Sequence, residues 1–319
     1  MSEEFAPKPI NGEPWDIVII GSGPASLTAA IYTTRGAAST LILGGEKWGG
    51  QLMLTTKVDN FPGFPDGVQG PDLMMNMRKQ AERFGALFLE KNVLNIDLGK
   101  NPFELLIREQ IYKAKSVIIA TGASSRWIGV PGEVELIGRG VSTCAPCDAP
   151  FFKNKKVAVV GGGDAAMEEA LVLTKYADEI IIIHRRDQLK ASAAMQKKVM
   201  NNPKVKFLWN TEVTEIVGKE KLEKLLLVNN QTQEKSELAL DGVFVSIGHK
   251  PESDLFKGPI EIDEKGYIVV RDHTKTSIPA VFVAGDVHDS HYKQAITAAG
   301  FGCMAGMDAL RYLDELKSK

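Results

Sequence analysis

The chain has 319 residues, 44% of them hydrophobic, and a formal charge of -2, which is length enough for two medium-sized domains with their own cores. Lysines and acids are interspersed, so the broad basic field that attracts nucleic acid is excluded, and no apolar run approaches a membrane span. Residues 1–13 are polar and acidic and lack the basic start and apolar core of a signal peptide, so a cytoplasmic location is expected.

Taken in chain order, Trp15-Asp16-Ile17-Val18-Ile19-Ile20 is a short apolar run that ends in Gly21-Ser22-Gly23-Pro24-Ala25-Ser26 and then small residues from Thr28 to Ala30. Strand, tight turn and closely packed helix are expected. A second strand, residues 40–43, runs into Gly44-Gly45-Glu46, and residues 116–119 form a buried strand that stops at Ala120-Thr121-Gly122. Cys144-Ala145-Pro146-Cys147-Asp148 follows. The strand–turn–helix pattern then returns as residues 156–160, Gly161-Gly162-Gly163-Asp164-Ala165-Ala166 and a helix over 167–175. Residues 180–183 form a strand ending in His184-Arg185-Arg186, and 241–248 echo the 116–122 crossing. A last strand over 280–284 stops at Gly285-Asp286 and precedes a small-residue helix over 294–313.

In each glycine loop the first glycine permits the turn and the second lets the backbone approach a pyrophosphate; a small third residue lets helix and strand pack closely. Two such loops in register, each after an apolar strand, point to two dinucleotides. The arginines after the second suit the 2′-phosphate of NADP, whereas Glu46, an acid slightly late after the first, suits a free ribose as in FAD. The expected fold is α/β with two Rossmann-like domains. Residues 1–123 and 250–319 form a discontinuous FAD domain, and an NADPH domain over 124–249, carrying the CxxC, is inserted in it.

Three cysteines are too few for a disulfide scaffold, and a close pair in a reducing compartment is catalytic or metal-binding. Zinc would need two more ligands, and neither a second CxxC nor a clustered His pair supplies them, so no metal is expected. A flavin is the natural intermediary between hydride and disulfide. Asp148 is placed to move a proton at a leaving thiol. Cys303, among Gly302, Met304 and Ala305, is expected to be a packed, inert thiol.

At this point the chain resembles the low-molecular-weight NADPH-dependent thioredoxin reductases, FAD-containing flavoprotein disulfide reductases. The resemblance is carried by Gly21-Ser22-Gly23-Pro24-Ala25, Gly49-Gly50-Gln51-Leu52, Asn60-Phe61-Pro62-Gly63, Ala120-Thr121-Gly122 and the CxxC-Asp. Residues 161–170, His184-Arg185-Arg186-Asp187, Ile247-Gly248-His249, Ala284-Gly285-Asp286-Val287 and 292–300 continue it in the same order. It implies that Asp286 binds the FAD ribityl chain and that the backbone of Gln294 and Ala295 faces the flavin. Cys147 would lie nearer the flavin, Cys144 would attack the partner disulfide, and Asp148 would be the general acid/base. Ile247 and Gly248 would join the NADPH site, with Gly161, Gly163, Asp164 and Ala165 at its loop and His184, Arg185, Arg186 and Lys190 at its phosphate end. It also implies a homodimer, thioredoxin or a thioredoxin-like protein as partner, and a rotation of the inserted domain about residues 123–126 and 248–251.

The sequence departs from that pattern at four places. Ser26 replaces Ala or Gly, Lys190 and Lys293 each replace an Arg, and Ala149-Pro150 replaces the usual Gly after Asp148. Lysine keeps the charge but loses the bidentate fork. Phe151 and Phe152 are candidates for docking thioredoxin or for core. Two alternatives of the same fold remain: a flavin disulfide oxidase that passes electrons to oxygen, and a ferredoxin-dependent reductase.

Overall fold

A computed structural model describes residues 8, 9 and 12–318, so most of the N-terminal segment read above for a targeting signal lies outside the described residues. The chain forms two compact units, one built from the chain up to Ser124 and from Lys250 onward, the other from Ser125–His249. Among the described residues there are six α-helices: α1 (Pro24–Arg35), α2 (Gly70–Arg83), α3 (Ala145–Asp148), α4 (Asp164–Leu173), α5 (Ala193–Met200) and α6 (Ala295–Lys317).

In the first unit, Trp15–Ile20 lies between the parallel strands Thr40–Leu43 and Gln110–Ile119. Leu87–Leu89 extends the sheet beyond Thr40–Leu43, and Val281–Val283 joins Gln110–Ile119 in parallel. Phe103–Ile107 and Asn95–Asp97 add an antiparallel edge. Alternate side chains of a strand face opposite ways: Ile17 and Ile19 enter one apolar cluster, Val18 and Ile20 the other. Both faces are covered, which is why the run is apolar throughout rather than alternating. α1, α2 and α6 cover the first of these faces through Leu27, Met74 and Ala305. The small residues of α6 let it approach α1, since a Cβ on Gly302 would collide with the Ala25 carbonyl. α6 runs past residue 313 to Lys317, because Asp314-Glu315-Leu316-Lys317 contains no breaker.

The second unit has a five-stranded parallel sheet in the order Val141–Ser142, Gly242–Val245, Lys156–Val160, Glu179–Ile183, Val205–Leu208. Ile180 and Ile182 pack into one cluster and Ile181 and Ile183 into another, the same two-faced burial as in the first unit. α4 starts three residues earlier than the expected helix, directly on the extended Gly163, and stops at Leu173. A three-stranded antiparallel sheet, Thr211–Gly218, Leu222–Asn229 and Lys235–Ala239, was not among the expected elements. The chain crossings Ala123–Ser125 and His249–Pro251 pair as a two-stranded ribbon.

Candidate redox and nucleotide site

The first glycine loop leaves the strand Trp15–Ile20 at Gly21, whose φ of 126° excludes ordinary side chains and whose Cβ would collide with the Ala120 carbonyl. A Cβ on Gly23 would instead meet nothing within 4 Å, so the backbone there is open to a close ligand. Pro24 supplies the preset φ of the first turn of α1, with buried Ala25 next to it. Ser26 keeps the loop closed: its buried hydroxyl donates to the Gly21 carbonyl at 2.7 Å, so the hydroxyl that departs from the expected Ala or Gly is satisfied. Ser22 donates to Gly44 O at 2.7 Å and accepts from Gly49 N at 2.9 Å, tying the loop to the end of Thr40–Leu43 and to residues 49–50. Gly50 consequently sits against Gly23, with Gln51 and Leu52 following in a short 3-10 helix. Glu46 is exposed, with its amide held by Asn92 and its carboxylate 3.9 Å from Arg108.

In the same unit, the Asn60 amide donates to Gln294 Oε1 at 3.3 Å, and Gln294 caps α6 reciprocally with Thr297. Asp289 accepts the amides of His291, Tyr292 and Lys293 and so holds the turn ahead of Ala295. Lys293 has φ 49° and its ammonium folds back onto the Ser290 carbonyl. Thr121 donates to Glu252 O at 2.6 Å beside Gly122, φ 74°. Asp286 Oδ1 is sealed from solvent with no hydrogen-bond partner among the described residues, and burial pushes the carboxyl up to about 6. An acceptor buried without a donor is costly unless a ligand hydroxyl supplies one.

In the second unit, Gly161 has φ 153° and a Cβ there would collide with Ser246 O, while Gly163 faces open space. Asp164, at the start of α4, accepts both the amide and the hydroxyl of Ser192, which lowers its pKa; Ala165 is exposed beside it. His184 is buried under Gly162 with Nε2 3.0 Å from Gln188 O, and burial first, then Arg186, Arg185 and Lys190, depress its pKa. That ring shapes the loop from beneath. Arg185 and Arg186 are exposed, and neither makes an ion pair with an acid among the described residues. Ile247 is exposed ahead of Gly248, φ 107°.

Cys144 and Cys147 form a disulfide across the first turn of α3, with both residues half-buried. The Cys144 amide donates to Ser142 Oγ at 3.0 Å, and the Ser142 hydroxyl lies near enough to Asp148 to bear on its carboxyl. Burial raises the Asp148 carboxyl above its ordinary value, only partly opposed by the nearby Ser142 hydroxyl. On α4, Glu169 accepts the Ala145 amide at 2.9 Å; burial pushes it up to about 7, and the Asp148 and Glu168 charges add to the rise. The Ser246 hydroxyl lies near it but in no formed hydrogen bond.

A tight glycine loop on each unit and a disulfide beside a carboxyl whose pKa burial raises are the parts of a nucleotide-coupled redox enzyme. Residues 15–302 match the pyridine nucleotide-disulphide oxidoreductase family. A thioredoxin reductase of Streptomyces clavuligerus is 50% identical over 304 residues, 94% of each chain. A bifunctional thioredoxin reductase/thioredoxin of Mycobacterium leprae is 46% identical over 94% of this chain and 66% of its own length. The solved thioredoxin reductase of Giardia duodenalis superposes with a TM-score of 0.91 at 40% identity, covering 95% of this chain and 99% of that one. This chain belongs to the thioredoxin reductase family.

Membership in the thioredoxin reductase family brings a flavin and a pyridine nucleotide to a disulfide. The residues fit both groups: the open backbone at Gly23 and Gly163 suits phosphates, and orphaned Asp286 suits a polyol hydroxyl. No helix of the described residues is long and apolar enough to cross a membrane. Motif reading assigned no role to Ser22 and Glu169, which lie within quoted motifs, or to Ser142 and Asp289, which lie outside them; each holds backbone amides or carbonyls of a motif. The two candidate docking aromatics separate: Phe151 is 46% exposed, whereas Phe152 is buried 5.2 Å from Phe244. Cys303 is only half-buried on α6, with Met307 Sδ 3.9 Å away and Tyr32 close by. For a thioredoxin reductase built this way, Gly21→Ala is expected to cost about 1–3 kcal/mol of stability through forced strain at Gly21. Chemical denaturation of the purified variant, with its flavin content, checks it.

Proposed function

We propose that the chain carries electrons from NADPH through FAD to the Cys144/Cys147 disulfide and on to thioredoxin or a thioredoxin-like protein, as a cytoplasmic homodimer. The observation that carries the proposal is the disulfide with a half-buried Asp148 beside it, whose carboxyl burial raises above its ordinary value. It stands in the unit that also bears the second glycine loop and the Arg185, Arg186 and Lys190 cluster.

The first unit would hold FAD. Gly21, Gly23, Pro24 and Ala25 would take its pyrophosphate, and Glu46 its adenosine ribose. Asp286 would accept a hydroxyl, and Gly50, Gln51, Leu52, Asn60, Thr121, Gly122, Lys293, Gln294 and Ala295 would surround the remainder. The second unit would hold NADPH through Gly161, Gly163, Asp164 and Ala165, with the arginines and Lys190 at the 2′-phosphate, Ile247 and Gly248 alongside, and His184 supporting from below. When bound, FAD accepts hydride from NADPH and delivers two electrons to sulfur.

The chain's own chemistry is thiol–disulfide exchange. Reduction cleaves the Cys144–Cys147 bond and leaves two thiols. Cys144, as thiolate, attacks a sulfur of the acceptor disulfide and forms a mixed disulfide, releasing the acceptor's other sulfur. Cys147 then attacks Cys144, restoring the internal disulfide and releasing the second acceptor sulfur. Asp148 moves protons at these sulfurs; burial keeps its proton available at higher pH than an exposed aspartate would.

An anaerobic stopped-flow titration tests the electron donor. NADPH is expected to bleach the flavin band completely, and NADH at the same concentration at least about tenfold more slowly. Failure of NADPH to bleach it would promote the ferredoxin-dependent alternative. Consumption of oxygen with small dithiols, without NADPH oxidation, would promote the oxidase.

A further inference from the structure

Arg78, on α2, rests against two aromatic rings. Its guanidinium carbon is 4.6 Å from the ring centroid of Trp48 and 4.0 Å from that of Phe88, and the two rings meet edge to face at 5.7 Å. Its nitrogens donate to Glu82 of the same helix at 3.0 Å and to Glu90 at 2.6 Å. Both carboxylates are exposed, and exposed ion pairs contribute little; the Arg78 side chain itself is only 18% exposed, so its contact with the rings is the stronger tie.

These contacts join two stretches of chain. Residues 44–50 are fixed at their ends, where Gly44 N donates to Leu89 O at 2.9 Å and Gly49 N to Ser22 Oγ at 2.9 Å. Between those ends Glu46 and Lys47 are exposed, and Trp48 is the residue of the stretch whose side chain packs on the apolar cluster. The facing stretch, residues 88–92, carries Phe88 and Glu90. It also supplies Lys91 O to the Gly45 amide at 3.3 Å and Asn92 Oδ1 to the Glu46 amide at 3.1 Å. Gly44 leaves room for the Phe88 ring, which a Cβ there would strike. One guanidinium thus grips both stretches, through Trp48 on one side and through Phe88 and Glu90 on the other, and Glu46 stands on the turn so held.

We propose that Arg78 is a positioning residue for the adenosine half of FAD, which holds residues 44–50 in the shape that presents Glu46 to the ribose. This deepens the function proposed above and rests on its assignment of FAD to the first unit. Arg78 touches no reacting atom. A turn ordered in advance spares the ligand the cost of ordering it, so the effect falls on retention of FAD rather than on the chemistry. Lysine keeps the charge but offers no planar group to two rings.

Release of FAD from diluted holoenzyme, read as the rise in fluorescence of free flavin, is the test. Arg78→Ala is expected to release FAD about tenfold faster than wild type, and Arg78→Lys about threefold faster or more. With FAD added to saturation, thioredoxin turnover by Arg78→Ala is expected within about twofold of wild type, a split that a general loosening of the unit would not produce. FAD release unchanged in Arg78→Ala, or a saturated turnover that falls as far as retention does, overturns the proposal.

If Arg78→Ala does not fold, half-buried Trp48 decides. Trp48→Ala is expected to release FAD about fivefold faster, and Trp48→Phe, which keeps a ring against the guanidinium, within about twofold of wild type. Release from Trp48→Ala at the wild-type rate overturns the proposal. Glu46→Ala in the same assay separates the two levels. Faster release from Glu46→Ala with none from Arg78→Ala would keep the ribose assignment and remove this proposal alone, whereas a wild-type protein that does not bind FAD would remove both.

Discussion

Replacing Cys144 by serine is expected to leave NADPH bleaching of the flavin intact and to lower thioredoxin reduction about a thousandfold or more. Hydride arrival at the flavin needs neither sulfur. Exchange with an acceptor disulfide needs a thiolate, and a serine hydroxyl neither ionises at neutral pH nor bonds to sulfur reversibly. Cys147→Ser is expected to be equally inactive in turnover but for a different reason. With Cys144 present and its resolving partner gone, the mixed disulfide with thioredoxin cannot be released and accumulates as a reductant-sensitive covalent adduct. Non-reducing gel electrophoresis with mass spectrometry reads the difference. An adduct in Cys144→Ser and none in Cys147→Ser would exchange the roles of the two cysteines while leaving the dithiol pathway standing. Full thioredoxin turnover in Cys144→Ser would remove the pathway altogether.

The parallel strands were readable because burial on both faces forces unbroken apolar runs such as Ile17-Val18-Ile19-Ile20 and Ile180-Ile181-Ile182-Ile183, the first stopped by Gly21 and the second by His184-Arg185-Arg186. The antiparallel sheet over 211–239 was harder to see. It carries no glycine motif, and its central strand places three consecutive leucines, Leu225, Leu226 and Leu227, where strict alternation would place a polar residue in the middle. At the site, spacing located the loops and the thiols but said nothing about which side of a strand end a residue occupies. His184 and Arg185 are neighbours in sequence, yet one is buried beneath Gly162 and the other exposed. Glu169 was visible only as a letter within residues 161–170; its significance depends on α3 packing against α4, a tertiary fact. Ser26 stood out as a departure and proves to be a local repair, because its hydroxyl returns to the Gly21 carbonyl across the loop.

Removing both arginines, Arg185→Ala with Arg186→Ala, is expected to raise the KM for NADPH about a hundredfold or more while leaving the KM for NADH within about twofold. The two side chains stand exposed just past the strand Glu179–Ile183, and with Lys190 they bear on buried His184, which fixes the three charges as one cluster. Their backbone is anchored independently of the charges, since the Asn230 amide donates to Arg185 O at 2.8 Å and the Asn210 amide to Arg186 O at 3.2 Å. Truncation therefore removes the cations without unfolding the turn. The 2′-phosphate is remote from the transferred hydride, so the arginines bind ground state and transition state alike. The loss should then fall on KM with kcat nearly unchanged. Lys190 remains as a point charge, so a residual NADPH preference of a few-fold is expected to survive the double variant and to fade with added salt. Steady-state kinetics with both nucleotides at two ionic strengths measure each of these quantities. An equal loss for NADH and NADPH would mean that the cluster holds a part common to both nucleotides, and the 2′-phosphate assignment would fall.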